Sequence, residues 1–109
     1  MTEKSKKYLS DILMAIQLID EFIADDIDFN MYEKDRKTQI AVERQLVVIG
    51  EALNKFTKLE PQINIENDKQ IVNFRNRLVH AYDSLDNSII WAIVKRHLKP
   101  LQSEIQNLI

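Results

Sequence analysis

The densest group of side chains able to do chemistry lies between residues 73 and 82, in the segment Asn-Phe-Arg-Asn-Arg-Leu-Val-His-Ala-Tyr. It combines two guanidiniums, an imidazole, two amides and a phenol, and no acidic residue follows until Asp83. The arginines therefore have no salt-bridge partner nearby in the sequence. Arginine offers a fork of donors to phosphate oxygens, and histidine transfers protons near neutral pH. The segment is suited to act on a phosphodiester.

The spacing of these residues depends on whether the segment is helical. In a helix, Asn76 and Arg77 lie one turn from His80, and Asn76 is placed to orient the imidazole. Arg75 and Tyr82 are seven residues apart and share a face, whereas Arg75 and His80 lie about 140° apart around the axis. In one regular helix, Arg75 and His80 therefore do not both point towards the same phosphate. Either the helix ends before His80, or two copies of the segment meet across a dimer axis.

The composition restricts the fold that must position this segment. The chain has 109 residues, of which 45% are hydrophobic and 29% charged, as is typical of one globular domain, here residues 1–109. One glycine and two prolines argue against many short strands joined by tight turns, and they exclude glycine-rich phosphate-binding loops. The absence of cysteine excludes disulfides and cysteine nucleophiles. These exclusions favour an all-α fold.

Apolar residues recur at helical spacing in four stretches, which predicts an antiparallel up-and-down bundle of four main helices. The stretches carry Leu9 to Ile23, about Glu33 to Lys58, Asn67 or Asp68 to a point between His80 and Tyr82, and Ile89 to Leu108. Gly50 lies inside the second helix, where we expect a crossing helix to approach closely. The segment from Asp83 to Asp86 supplies caps for the last helix, and Pro100 is expected to kink it.

The distribution of charge and the two histidines lead to further expectations about the site. The net charge is −2, but the stretch from Arg75 to Lys99 holds five basic and two acidic residues, a local net charge of +3. With two histidines and no helical His–Glu pair at ligand spacing, we expect no metal site and no cofactor. His97 is explained as a packed or half-exposed helix residue.

The longest apolar run, Ile12 to Ile16, is far short of a membrane span, and no signal core follows Met1, so a cytoplasmic protein is expected.

The pattern Arg75-x-x-x-x-His80-x-Tyr82 resembles the signature motif of the HepT-like toxins, which belong to the HEPN group of helical ribonucleases. The resemblance extends from Lys37 onward. It includes the stretch Ile49-Gly50-Glu51-Ala52, the segment from Arg75 to His80, and the later pairs Ile90-Trp91 and Pro100-Leu101.

The resemblance implies a homodimer whose paired motifs line a cleft at the interface. It implies a metal-independent endoribonuclease toxin of a type VII-like toxin–antitoxin pair, with Arg75 and His80 as catalytic residues and Asn76 as a supporting residue. Arg77, one turn from His80, is a second supporting candidate. The implied partner is a small nucleotidyltransferase antitoxin of the MntA type, which transfers AMP from ATP to Tyr82 and thereby silences the toxin.

Two other functions stay open at this point. Related helical proteins serve as non-catalytic, substrate- or nucleotide-binding subunits of two-component nucleotidyltransferases, and a plain helical dimerisation module is a third interpretation. A binding subunit has little reason to retain both Arg75 and His80. A dimerisation module leaves the arginines unexplained. The sequence therefore favours the nuclease.

Overall fold

The computed structural model describes residues 1–80 and 86–109, and within them the chain forms five α-helices and no strand. The helices are α1 (Glu3–Phe22), α2 (Phe29–Glu33), α3 (Arg36–Leu59), α4 (Asp68–His80) and α5 (Asn87–Leu108). The predicted all-α fold is confirmed, with α1, α3, α4 and α5 as its four main helices. Tyr82, the expected AMP acceptor, lies outside the described residues.

Short polar side chains fix where the helices begin. The Asp35 carboxylate accepts a hydrogen bond from the backbone N–H of Thr38 at 3.1 Å, and that of Asp86 accepts one from Ser88 at 2.9 Å. Each bond satisfies an N–H group that has no partner within the first turn of its helix. Asp86 was among the residues predicted to cap the last helix, and it does so.

The start of the second predicted helix is corrected. That helix, α3, begins at Arg36 rather than near Glu33, because a separate five-residue helix, α2, precedes it. The Asp28 side chain caps α2 by accepting from the backbone N–H of Met31 at 2.9 Å. A helix this short spans little more than one turn and leaves no apolar period in the sequence.

The core forms where α3 packs against α1 and α4, while α5 packs against α1 and α2. Its fully buried side chains come mainly from α1, α3 and α5 and include Leu9, Ile12, Ile19, Val42, Ile49, Leu53, Phe56, Ile90 and Ile105. Among the described helices, none has the length and apolar character needed to span a membrane. Since α3 contacts α4 directly, it is the helix that supports the polar motif.

Trp91 joins α5 to the short helix α2. Its ring centre lies 5.9 Å from that of Phe29 and 5.3 Å from that of Tyr32, and the Lys95 ammonium lies 4.8 Å from it on the same helix. Tyr32 is fully buried, and Trp91 is half-buried and packs against the core. The helix continues through Pro100, and the kink expected there stays a prediction.

Candidate active site

Four of the five predicted site residues lie on the last two turns of α4: Arg75, Asn76, Arg77 and His80. The helix begins after Asn67, whose φ of 64° places it in the left-handed region that asparagine tolerates better than most residues. The buried side chains of Ile71 and Phe74 hold α4 on the bundle. The polar motif is therefore presented by a packed helix and not by a loop.

Arg75 points towards α3 and is fixed there by its whole side chain. The aliphatic stem crosses α3 at Gly50, where a Cβ would overlap the Arg75 Cβ and lie 2.6 Å from its Cγ. The guanidinium Nη2 donates to Glu51 Oε1 at 3.0 Å, and Nη1 donates to Asn76 Oδ1 at 2.8 Å. The close approach predicted at Gly50 is confirmed, and Arg75 on α4 is the residue that approaches.

The salt bridge to Glu51 corrects the expectation that the arginines lack a partner. The arginines do lack a partner among neighbouring residues of the sequence. Glu51, however, precedes Arg75 by 24 residues and reaches it across the contact between α3 and α4. About 23% of the Arg75 side chain and 41% of the Glu51 side chain stay exposed, so the guanidinium is anchored but still accessible to a ligand. Within the described chain, its Nε is buried and has no hydrogen-bond partner.

Glu51 is the site residue that sequence reasoning missed. It was noted only as part of the stretch Ile49-Gly50-Glu51-Ala52, and no role was assigned to it. The signal that could have found it is the single glycine of the chain directly before an acidic residue in a helix. A helix that approaches closely at Gly50 brings its own side chains within reach of residue 51.

His80 is the last residue of α4 and is exposed to solvent. Because the helix runs through His80, the alternative in which it ends earlier is excluded. Arg75 and His80 therefore leave the axis about 140° apart, with Asn76 between them and one turn from His80. The Arg75 guanidinium reaches Asn76, and Asn76 lies one helical turn before His80.

Arg77 lies elsewhere. It is about 160° around α4 from Arg75 and lines a groove between α4 and α5, together with His97. The structure therefore places Asn76 beside Arg75 but turns Arg77 away from it. Within the described residues, no group of three His, Cys, Asp or Glu side chains is placed to hold a metal ion.

The sequence profile of the family described as ribonuclease HepT-like matches residues 12–108, nearly the entire chain. The chain belongs to the HepT-like ribonuclease family. Membership confirms the resemblance seen in the sequence and classes the protein among ribonucleases.

Individual relatives of this HepT-like chain match over almost their full length. A Thermococcus cleftensis protein named "Probable ribonuclease HepT" is 38% identical over 99% of this chain and 98% of its own. A Methanocaldococcus jannaschii protein named "Putative RNase" is 33% identical over 93% of both chains. Among solved structures, the tri-AMPylated HEPN toxin of Shewanella oneidensis in complex with MNT antitoxin has a TM-score of 0.75 at 20% identity, covering 99% of this chain and 98% of that one. That likeness shows the HEPN fold.

Proposed function

We propose that this chain is the toxin of a type VII-like toxin–antitoxin pair, a metal-independent endoribonuclease that acts through Arg75 and His80. The observation that carries the proposal is the anchored guanidinium of Arg75. The guanidinium is held by Glu51 of α3 and by Asn76 of α4, the helix that ends in His80. It stays partly exposed to solvent. A cation fixed in this way is prepared for the charge that develops on a phosphate during cleavage.

The reaction uses the neighbouring 2′-hydroxyl of the RNA as nucleophile. A base takes the proton of this hydroxyl while its oxygen bonds to phosphorus, and an acid protonates the 5′-oxygen as the P–O5′ bond breaks. The products are a 2′,3′-cyclic phosphate and a 5′-hydroxyl. Arg75 stabilises the negative charge on the phosphate oxygens, and His80 transfers protons.

A homodimer supplies the second proton-transfer group. Arg75 and His80 of one helical α4 point about 140° apart, so a second motif completes the site most simply. In the proposed dimer, each chain contributes one α4 to a shared cleft, where one His80 accepts a proton and the other donates one. Arg75 of both chains brings positive charge to this cleft and attracts the RNA backbone. Lys95 and Lys99, which belong to the same +3 stretch of sequence, line a separate pocket with Asp20 and Asp25.

The proposed partner is a small nucleotidyltransferase of the MntA type that transfers AMP from ATP to Tyr82. The phenol loses its proton as its oxygen bonds to the α-phosphorus of ATP, and pyrophosphate leaves. The added phosphate places negative charge and bulk close to the phosphate-binding arginine and silences the toxin. The Shewanella oneidensis relative, described as tri-AMPylated and bound to MNT antitoxin, supports this assignment.

Cleavage chemistry tests the nuclease proposal. The purified protein is incubated in EDTA with a short RNA and with the same RNA carrying 2′-O-methyl groups, and the products are analysed by mass spectrometry. We expect 2′,3′-cyclic phosphate ends from the first RNA and no cleavage of the second. RNA that is bound but never cleaved would contradict the proposal and favour a non-catalytic binding subunit.

The partner proposal is tested separately by co-expression with the candidate nucleotidyltransferase. Intact-mass measurement of the toxin should show one or more added AMP groups, and Tyr82→Phe should show none. An inactive complex in which Tyr82 is unmodified would overturn AMPylation and indicate simple occlusion of the site.

A further inference from the structure

A groove of about 320 Å³ separates α4 from α5, on the side of α4 turned away from Arg75. Its apolar lining consists of Ile71 and Phe74, which are buried and form the floor, and of the more exposed Ile89 and Ile93. Its rim is polar and consists of Gln70, Asn73, Arg77 and His97. The cleavage mechanism proposed above uses none of these eight residues for chemistry, although the volume is within the range of sites for small ligands, about 300 to 1,000 Å³.

The chemistry of the groove matches a nucleotide. Arg77 is cationic, His97 offers ring nitrogens, and none of the described residues that line the groove is acidic. The amides of Gln70 and Asn73 each carry donors and an acceptor, as the edges of nucleobases do. The apolar floor, with Phe74 in it, suits the flat face of a base, and the guanidinium suits a phosphate.

The groove also lies next to the proposed catalytic residue. Gln70, Asn73, Arg77 and His80 follow one another at intervals of three and four residues, which places them along one stripe of α4. A strand of RNA with its scissile phosphate near His80 can therefore continue along this stripe and place a neighbouring base in the groove.

We propose that this groove binds the base of a nucleotide next to the cleaved phosphate of single-stranded RNA and thereby sets the base preference of the enzyme. Asn73 and Gln70 hydrogen-bond to the base edge, and Arg77 holds the phosphate attached to it. The inference rests on the proposed ribonuclease function and adds a specificity site to it.

A second copy of the chain is a poorer match to the groove. A two-fold contact through this surface must be self-complementary, so each lining residue has to pair with a lining residue of the other copy. None of the described lining residues is acidic, so this surface offers Arg77 of a second copy no opposite charge. RNA, whose backbone is negative throughout, supplies that charge.

The first experiment maps cleavage sites. Wild type and Asn73→Ala act on an RNA library of random sequence, and the cut ends are sequenced. We expect the wild type to prefer certain bases at one fixed position beside the cut, and Asn73→Ala to lose most of that preference while still cutting. Asn107→Ala, an exposed asparagine remote from the groove in α5, should keep it. Retained preference in Asn73→Ala, or no preference in the wild type, overturns the inference and leaves the ribonuclease proposal intact.

The second experiment measures binding without cleavage. Anisotropy of a labelled 2′-O-methyl RNA reports the affinity of the wild type, Arg77→Ala and the exposed matched control Arg44→Ala. Arg77→Ala should weaken binding by about tenfold, as loss of one base or phosphate contact does, and Arg44→Ala by less than about twofold. This result supports the groove even if cleavage fails. Equal affinities, or loss of a dimer in Arg77→Ala on size-exclusion chromatography, would contradict RNA as the occupant.

Discussion

The side chain of Arg75 on α4 crosses α3 over Gly50, where a Cβ would overlap its first two side-chain carbons. The single glycine of the chain therefore has a specific use. It allows the aliphatic part of the Arg75 side chain to pack directly on α3. This packing brings the guanidinium within hydrogen-bond distance of Glu51, the residue that follows Gly50. The close contact of α3 with α4 and the position of the proposed catalytic guanidinium both depend on the absence of a Cβ atom at Gly50.

Gly50→Ala should destabilise the protein although alanine is the better helix former. The added methyl gains about 1 kcal/mol in helix propensity. It must, however, displace the Cβ of Arg75, which is attached directly to the α4 backbone, and such overpacking costs about 1–3 kcal/mol. Urea unfolding should give a net loss of stability, with RNA cleavage reduced as well. Arg44→Ala, on the exposed side of α3, should change neither. A Gly50→Ala protein as stable and active as wild type would contradict this packing.

Glu51→Ala should reduce cleavage far more than it reduces stability. Ion pairs with this degree of exposure contribute about 0.2–1 kcal/mol, so the fold should be retained. Arg75 loses the group that holds its Nη2, and its guanidinium is then less well oriented towards phosphate. A double-mutant cycle with Arg75→Ala separates the two roles. If Glu51 acts through Arg75, the two losses in kcat overlap and do not multiply. Fully multiplicative losses would show that Glu51 does not act through Arg75.

Tyr32→Phe should leave stability unchanged or raise it by about 1 kcal/mol. Tyr32 is fully buried, and in the described part of the chain its hydroxyl has no hydrogen-bond partner. Burial, with a smaller contribution from Glu43, raises the pKa of Tyr32. Removing an unsatisfied buried hydroxyl removes a desolvation cost. The fluorescence of Trp91, which is the only tryptophan and packs against this ring, reports the unfolding. A loss of more than about 1 kcal/mol would reveal a partner for the hydroxyl.

Most of the helices could be predicted from the spacing of apolar residues in the sequence, but the residues that surround Arg75 could not. The helices α1, α3 and α5 repeat buried residues over several turns, whereas α4 buries only Ile71 and Phe74. Gly50 stands out as the single glycine inside α3. The helix α2 has only five residues, too few for apolar residues to recur at helical spacing. The pairing of Arg75 with Glu51 joins residues 24 apart in the chain, and only the packing of α4 on α3 brings them together. The opposite directions of Arg75 and Arg77 follow from helical geometry once α4 is known to be regular.

Glu60 should make stability depend on pH in the acid range. Hydrogen bonds from Gln62 and Ser5 lower the pKa of Glu60 below its ordinary value of 4.5, because they favour the carboxylate in the folded state. Its contribution is present above that value and is lost as the pH falls through the lowered folded pKa. Thermal unfolding between pH 6 and about pH 3 should therefore show a smaller acid loss for Glu60→Gln than for wild type.

The matched control for this experiment is Glu21→Gln, an exposed residue of α1. It should follow the acid loss of the wild type. Parallel curves for wild type and Glu60→Gln would show that the carboxylate of Glu60 does not link the end of α3 to the start of α1.

The central claim is that Arg75 and His80 cleave RNA, and one measurement tests it most directly. Initial rates on a labelled RNA in EDTA are compared for wild type, Arg75→Ala, His80→Ala and the control Arg44→Ala, after circular dichroism has shown that all four are folded. We predict that Arg75→Ala and His80→Ala each lose at least about 100-fold in rate, as expected when a proton-transfer or charge-stabilising group is removed, while Arg44→Ala keeps the wild-type rate. Folded His80→Ala that cleaves RNA as fast as wild type would contradict the claim.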